Sequence, residues 1–191
     1  MRKARADGYR SRAAFKLIEV NTRDRLLIPG AKVVDLGAAP GGWSQVAAQK
    51  VGATGAVIAV DLLEIAPMSG VTVLRGDFRQ PEVQAQLVAA LGGQKADVVL
   101  SDLSPNISGI ASADQARAAE LARMAIEFCR SQLKPAGAFL VKVFQGEEFT
   151  AVLKEMKGVF REVRTIKPSA SREESRETYL LARRLKGYNK Q

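Results

Sequence analysis

Two charged residues of this histidine-free sequence are candidates for proton transfer. Lys142 lies inside the apolar run Phe139–Phe144, which predicts a central β-strand. Burial there favours a neutral amine that could accept a proton, although a lysine at a strand's exit could equally extend its ammonium into solvent. Asp102 ends another predicted strand, where it could face a ligand or simply cap the turn that contains Pro105.

The amino-acid composition narrows the chemistry further. The chain has no histidine and one cysteine, Cys129. A histidine base, a Ser-His triad and a histidine-ligated metal are therefore impossible, and a zinc site is nearly excluded. We predict no metal site, and lysine, aspartate and glutamate remain as bases. Cys129 lies in an apolar helical pattern, which indicates a buried thiol and a reducing, cytoplasmic location.

A glycine-rich turn follows the first predicted strand, Lys32–Leu36. The turn reads Gly-Ala-Ala-Pro-Gly-Gly from Gly37 and leads into a helix at Gly42. In an open α/β sheet, ligands bind at the carboxyl ends of the strands, and glycine allows close approach of the backbone. The turn has neither the Gly-x-Gly-x-x-Gly pattern nor the Lys-Ser/Thr of a phosphate-binding loop. We therefore expect a ligand without a pyrophosphate.

Acidic residues also end the next two strands. Asp61 follows the run Ala56–Val60, and Asp77 with Phe78 follows Val71–Leu74. The Asp61 carboxylate can accept hydrogen bonds from ribose hydroxyls, and Asp77 and Phe78 would lie beside the base of a nucleoside. Each residue alone could be a turn or cap residue. Together, the three strand ends predict a nucleoside site.

The elements that position these residues alternate between strands and helices. Strands separated by helices of this length predict a parallel sheet with helices on both faces. The last two strands are separated by a short polar segment and are expected to pair antiparallel at one side of the sheet. Further predicted strands are Asp97–Leu100, Val163–Ile166 and Thr178–Ala182, and the predicted helices are Ser11–Val20, Gly42–Val51, Pro81–Leu91, Ser112–Leu133 and Glu148–Val159.

Length and charge indicate one basic domain. At 191 residues the chain fits a single domain spanning 1–191, with a basic N-terminal segment (about 1–22) and a basic tail (about 184–191). An excess of 29 Lys and Arg over 20 Asp and Glu gives a formal charge of +9 and favours a polyanionic partner such as nucleic acid. No run is long enough to span a membrane. No long apolar stripe is left over, so we expect a monomer.

Several of these segments carry a specific family likeness. The stretch Asp35–Gln45 resembles the FtsJ family of RNA ribose 2′-O-methyltransferases, and the likeness extends from Gly8–Leu17 to Ser175–Tyr179. It includes Ser101–Asn106 and Val141–Gly146. The resemblance implies the Rossmann-like sheet of class I methyltransferases, S-adenosylmethionine as cofactor and RNA as substrate. Within the family, the likeness implies a uridine in the A-loop of 23S ribosomal RNA, in the large ribosomal subunit.

The resemblance also assigns roles to individual residues. Lys16 and Glu177, which alone are typical of solvated charges, would join Asp102 and Lys142 in a catalytic tetrad. Lys142 would accept the hydroxyl proton, or would stay charged and steer the oxygen lone pair, with Glu177 orienting a lysine or the ribose. The cofactor-binding residues implied by the motifs are Gly37, Gly41, Trp43, Asp61, Asp77 and Asp102.

Two basic segments flank the predicted catalytic residues and would contact RNA phosphates. Tyr9 could stack on a base, and each segment could instead be a solvated surface. The first segment contains Arg2, Lys3, Arg5, Arg10, Arg12 and Lys16, the second contains Arg164, Lys167, Arg172 and Arg176, and the tail contains Arg183, Arg184, Lys186 and Lys190.

Other functions remain open at this point. The same chemistry could act on a transfer RNA or an mRNA cap, although the chain is short for a cap-reading domain. A catalytically silent RNA-binding assembly factor could keep the fold, but the complete tetrad disfavours it. A small-molecule methyltransferase would need elements that close over its substrate, and the loop sequence disfavours a nicotinamide oxidoreductase.

Overall fold

The computed structural model describes residues 7–171 and 176–187, which form a seven-stranded sheet flanked by five helices. Arg2, Lys3, Arg5, Arg172 and Lys190 of the predicted basic segments lie outside the described residues. The helices are α1 (Ala13–Asp24), α2 (Gly42–Val51), α3 (Pro81–Ala90), α4 (Ala111–Gln132) and α5 (Phe149–Val159). The strands are β1 (Lys32–Leu36), β2 (Ala56–Asp61), β3 (Val71–Arg75), β4 (Ala96–Ser101), β5 (Leu133–Phe144), β6 (Phe160–Ile166) and β7 (Glu177–Leu185).

The strand order places the ends of β1, β2 and β4 together. The sheet runs β3-β2-β1-β4-β5-β7-β6, and β7 alone runs antiparallel to its two neighbours. The order reverses between β1 and β4, and their carboxyl ends form the crevice where ligands bind in such sheets. The mostly parallel α/β sheet with an antiparallel strand near the C-terminus is confirmed.

Alternating side chains of the strands fill two cores. Val33 packs with α1 and α2 on one face, and the next residue, Val34, packs with α3, α4 and α5 on the other. This period of two follows from the pleat of a strand that is buried on both sides. The helix α1, which carries Lys16, is held on the sheet through Leu17, which has no exposed surface.

The strand β5 begins earlier than the sequence predicts. The predicted strand starts at Phe139, but β5 starts at Leu133, directly after α4. The residues 134–137 bulge opposite Asp97, and Lys134 Nζ lies 2.7 Å from Asp97 Oδ1. The buried Leu133 side chain holds this extension in the core.

Two smaller predictions can be compared directly. Cys129 is fully buried, as its apolar pattern predicts, and burial raises the pKa of its thiol. Within residues 7–171 and 176–187, no helix has the length and apolar character required to cross a bilayer.

Candidate active site

The turn after β1 is shaped by its hydrogen bonds to β2 and by one close approach. The backbone N–H groups of Gly37 and Ala38 both donate to the Val60 carbonyl, at 3.0 and 3.1 Å. Gly37 has φ +73°, and a Cβ atom there would lie 2.8 Å from the Leu103 nitrogen. A side chain would therefore push the turn away from the loop after β4.

Asp61 connects the same turn to the end of β2. Its Oδ2 accepts the Ala39 N–H at 2.9 Å, and its Oδ1 accepts the Leu63 N–H at 2.9 Å. A carboxylate offers about four lone-pair sites, so roughly two remain after these bonds. Because Asp61 also lines the cavity described below, it can hold a diol such as a ribose.

Asp77 is held by an arginine two residues further along the chain. Arg79 Nε lies 3.0 Å from both Asp77 oxygens, and Arg79 Nη2 lies 2.6 Å from Oδ2. These hydrogen bonds lower the pKa of the Asp77 carboxyl. Phe78 beside it is buried and packs edge-to-face on Phe128, with 5.6 Å between the ring centroids.

A cavity of about 570 Å³ lies across these strand ends, within the size range of small-molecule and cofactor sites. Gly37, Asp61, Asp77, Asp102 and Lys142 are all brought together in its wall. The cavity has carboxylates at the ends of β2 and β3 and a glycine at the end of β1. These groups fit an adenosine-type ligand. The further lining residues are Ala39, Val60, Leu62, Leu63, Gly76, Phe78, Arg79, Leu103, Ser104, Pro105, Asn106, Arg117, Glu120 and Leu121.

Two predicted cofactor residues have a different location. Among the described residues, neither Gly41 nor Trp43 lines the cavity. The Trp43 indole is 3% exposed, and its Nε1 donates to the Ala13 carbonyl at 2.7 Å. A Cβ atom at Gly41, which has φ +105°, would lie 2.5 Å from Met68 Cε. Trp43 therefore ties the helix after the turn to α1, and Gly41 packs closely against Met68 in the loop after β2.

Lys142 reaches the mouth of the cavity from the middle of the sheet. The residue is 7% exposed, and its Nζ donates to the Asp102 carbonyl at 3.1 Å and to Ser104 Oγ. The same nitrogen lies 3.3 Å from Asp102 Oδ1. These contacts hold the amine at the edge of the nucleoside pocket and show that Lys142 does not extend into bulk solvent.

Lys16 and Glu177 meet although they are 161 residues apart in sequence. Lys16 Nζ lies 2.9 Å from Glu177 Oε2 and donates to the Tyr179 hydroxyl at 3.3 Å. The Tyr179 hydroxyl in turn donates to Asp102 Oδ1 at 3.3 Å. Glu177, Lys16, Tyr179, Asp102 and Lys142 therefore form one continuous chain of polar contacts, which brings all four predicted tetrad residues together.

Burial and nearby charges shift the pKa values of two residues in this series of polar contacts, Asp102 and Tyr179. Withdrawal from bulk water raises the pKa of Asp102, while the nearby charges of Lys142 and Lys16 act in the opposite direction. Burial, together with the charges of Asp102 and Glu177, raises the pKa of Tyr179, so its phenol keeps its proton. Tyr179 can therefore donate to Asp102 throughout the neutral pH range.

Asp35 is a further buried carboxyl beneath the turn. It has no exposed surface, and its Oδ2 accepts a hydrogen bond from Ser44 Oγ at 2.6 Å. Burial, with the charges of Asp102 and Asp61, raises the pKa of Asp35 to about 7, although the Ser44 hydrogen bond acts against this. Its Oδ1 has no partner among the described residues.

Sequence reasoning missed Tyr179 and Ser104. Tyr179 lies two residues after Glu177 on β7, so the two side chains share one face of the strand. That spacing could have indicated Tyr179 once Glu177 was chosen. Ser104 had only its position after Asp102 to indicate it, because loop geometry decides where its hydroxyl points.

Arg10, predicted to contact RNA, is used inside the protein. Its guanidinium donates to the carbonyls of Ala66 (2.6 Å) and Pro67 (2.9 Å), which follow Asp61 in the chain. Its backbone N–H donates to Gln45 Oε1 at 3.1 Å. Arg10 therefore ties the segment before α1 to the loop after β2 and to α2.

Comparison with known proteins gives a consistent result. A family model described as FtsJ-like methyltransferase matches residues 9–185. The ribosomal RNA large subunit methyltransferase E of Chromohalobacter salexigens is 56% identical over 176 residues, which cover 92% of this chain and 84% of the relative. The protein of that name from Azoarcus sp. is 54% identical over 181 residues, covering 95% and 88%.

Solved structures show the same likeness. A Plasmodium falciparum protein assigned as a ribosomal RNA methyltransferase superposes with a TM-score of 0.82 at 28% identity, over 93% of this chain and 98% of that one. Aeropyrum pernix fibrillarin, solved with S-adenosyl-L-methionine, superposes with a TM-score of 0.64 at 18% identity, over 91% and 75%. The second is a likeness of fold.

Proposed function

Because the chain belongs to the FtsJ-like methyltransferase family, we propose that it transfers a methyl group from S-adenosylmethionine to a ribose 2′-hydroxyl in large-subunit ribosomal RNA. Relatives that match over most of its length are named for that RNA. The observation that carries the chemistry is that Tyr179 links two ion pairs, Lys16–Glu177 and Lys142–Asp102, and that the second pair lines a nucleoside-sized cavity. The nucleotide we propose is the A-loop uridine of 23S ribosomal RNA.

The cavity residues divide the binding of the cofactor between them. Asp61 would accept hydrogen bonds from the ribose hydroxyls, and Asp77 would lie beside the adenine. Gly37 would let the backbone approach closely, and Asp102 would face the methionine ammonium. When bound, S-adenosylmethionine supplies a methyl group on a positively charged sulfur, and its transfer forms a C–O bond as a C–S bond breaks.

Lys142 would accept the proton of the ribose hydroxyl. Its contacts with Asp102 and Ser104 fix the nitrogen at the cavity mouth, which supplies the orientation that proton transfer requires. The Asp102 carboxylate would stabilise the ammonium that forms. The Phe144 ring, whose centroid lies 5.9 Å from the Lys142 nitrogen, would shield another side of the amine from water.

Lys16, Glu177 and Tyr179 would act together on the other side of Asp102. Glu177 and the Tyr179 hydroxyl hold the Lys16 ammonium in place. A cation fixed there would stabilise negative charge that develops on the sugar oxygen. Glu177 would thus orient a lysine, and Tyr179 would set the Asp102 carboxylate.

Exposed cations around this mouth would contact the RNA backbone. Arg12 lies at the start of α1, and Lys167 and Arg176 lie on either side of the segment that precedes Glu177. Cations on two sides of one site can neutralise phosphates and fix the position of the RNA.

We also propose that the protein acts as a monomer in the cytoplasm, where ribosomal subunits assemble. In support, few large hydrophobic residues of the described chain are exposed, namely Ile28, Leu62, Leu63, Val88, Ile107 and Ile110. Leu62 and Leu63, two of the exposed residues, line the cavity itself. A single molecular mass of about 20 kDa in light scattering would be expected.

Methyl transfer can be tested with large ribosomal subunits, free 23S RNA and transfer RNA from cells that lack this enzyme. The purified protein and methyl-labelled S-adenosylmethionine should place label on one ribose, which then resists alkaline cleavage. Label on a base, label on transfer RNA only, or no label on any RNA would contradict the proposal. The last result would favour a binding or assembly role.

A further inference from the structure

An acidic side chain lies between the two basic segments of the proposed RNA-binding face. Glu19, on α1, accepts three hydrogen bonds from the segment that follows β6. Ser169 N–H donates to Oε1 at 3.0 Å, Ser169 Oγ donates to Oε2 at 2.8 Å, and Ala170 N–H approaches Oε2 at 3.4 Å. Burial tends to raise the pKa of Glu19, but these hydrogen bonds lower it overall, so the carboxylate stays ionised at neutral pH.

The same helix contacts the far end of this segment. Lys16, three residues before Glu19, forms the ion pair with Glu177 at the start of β7. Residues three apart lie on one side of a helix. The chain therefore contacts α1 at Ser169 and again at Glu177.

The position of Glu19 is unexpected for a residue that only contributes charge. Arg23, four residues further along α1, places a positive charge near Glu19. Arg12, Lys167 and Arg176 are exposed cations of the two basic segments. A carboxylate among them weakens the local positive potential and by itself opposes binding of a polyanion. The three hydrogen bonds give a different reason for an acid here.

We propose that Glu19 is a positioning residue that fastens residues 167–171, which follow β6, onto α1, so that Lys167 and the cations of the first basic segment form one surface for the RNA backbone. In the part that concerns RNA, this inference rests on the proposed function. The attachment of residues 169 and 170 to α1 through Glu19 does not depend on that function. Without Glu19, Lys167 would no longer be held in a fixed position relative to Arg12, and RNA contacts would be lost although net positive charge increases.

The RNA affinity of Glu19 variants distinguishes two roles. Loss of a positioning residue should weaken RNA binding, whereas loss of a residue that only contributes negative charge should strengthen it. We expect Glu19→Ala to weaken binding of a large-subunit RNA fragment about tenfold, or about 1.4 kcal/mol. The slope of log K against log salt should become shallower by about one. Asp7→Asn removes the same charge from the basic N-terminal stretch, so it should bind RNA equally well or slightly more tightly. Tighter binding by Glu19→Ala would overturn the proposal.

Two further variants separate fastening from general damage to the fold. Ser169→Ala removes one hydrogen bond without changing the charge, and Glu19→Gln keeps one acceptor for the Ser169 N–H. Both should fall between wild type and Glu19→Ala in RNA affinity. For all three, the RNA KM should rise while kcat at saturating RNA stays within about threefold and S-adenosylmethionine affinity is unchanged. A fall in kcat without a change in RNA KM would contradict a positioning role.

Limited proteolysis tests the fastening without any RNA or cofactor. Trypsin should cleave after Arg176 about tenfold faster in Glu19→Ala than in wild type or Asp7→Asn, at a temperature where unfolding is negligible. Equal cleavage rates would overturn the fastening, whatever the substrate is. Faster cleavage with unaltered binding of ribosomal RNA would instead place the failure in the proposed substrate.

Discussion

The two halves of the site are held together in different ways. In the cofactor half, Asp61 bonds to Leu63 and Asp77 bonds to Arg79, each two residues further along the chain. In the catalytic half, Lys16 and Glu177 are 161 residues apart and Lys142 and Asp102 are 40 apart. The carboxylates of the first half are held in part by neighbours two residues away, although Asp61 also accepts the Ala39 N–H of the turn after β1. The second half consists entirely of contacts between distant segments.

This difference predicts how each half responds to change. A local carboxylate can be removed with loss of ligand contacts while the catalytic side chains keep one another in place. The charged side chains of the catalytic half are one another's partners, so removing one leaves another partly buried without compensation. Binding and chemistry should therefore separate along this boundary.

The largest effect is expected for Lys142→Ala. Loss of the proton acceptor should lower kcat by at least about 10³-fold, the scale of general-base catalysis. Affinity for S-adenosylmethionine, measured by calorimetry, should change by less than about threefold because the Asp61 and Asp77 contacts remain. Near-wild-type turnover would remove Lys142 from the mechanism.

Asp61→Ala should impair cofactor binding and leave the catalytic half of the site in place. The change removes the ribose contact and frees the N–H groups of Ala39 and Leu63, so we expect cofactor Kd to rise about 10- to 100-fold. RNA binding in the absence of cofactor should be unaffected, because the basic segments lie elsewhere. A loss of RNA affinity as large as the loss of cofactor affinity would erase the proposed boundary.

Arg10 and Arg12 are neighbouring arginines whose alanine variants should affect different functions, cofactor binding for Arg10 and RNA binding for Arg12. Because Arg10 donates to the Ala66 and Pro67 carbonyls, Arg10→Ala should raise the cofactor Kd about fivefold. Arg12 is exposed, so Arg12→Ala should leave cofactor affinity unchanged and reduce the salt slope of RNA binding by about one. If both variants change only the salt slope, Arg10 binds RNA and its carbonyl contacts are incidental.

The smallest effect concerns Asp35 and depends on pH. Because its pKa is raised from 3.8 to about 7 in the folded protein, the folded state binds the extra proton between these values. Stability therefore falls as pH rises from about 4 through 7. Asp35→Asn cannot ionise, so its melting temperature relative to wild type should be at least about 4 °C higher at pH 8 than at pH 5. An equal difference at both pH values would contradict a buried, titrating carboxyl.

The same boundary explains what could be predicted from sequence. The strand alternation and the small-residue turn predict the sheet, and carboxylates at successive strand ends predict the cavity wall, because each signal lies within a few residues. Lys16 and Glu177 were implied by family resemblance, since their local pattern is that of solvated charges. Their contact depends on β7 inserting between β5 and β6, which the antiparallel pattern alone did not specify.

For other residues the sequence does not reveal what the side chain contacts inside the protein. Trp43 follows the glycine-rich turn, but α1 covers it and the Ala13 carbonyl accepts its N–H. Arg10 lies in a basic run, yet carbonyls 56 and 57 residues away accept its hydrogen bonds. Charge and position in a motif do not reveal such distant partners.

The most direct test of the account compares wild type with Lys142→Arg in single-turnover methyl transfer to large-subunit ribosomal RNA. Arginine keeps the positive charge but cannot accept a proton at the assay pH. The account predicts that Lys142→Arg, with cofactor affinity retained, is as inactive as Lys142→Ala. A rate within about tenfold of wild type would show that residue 142 acts as a fixed cation, and would contradict its role as the proton acceptor.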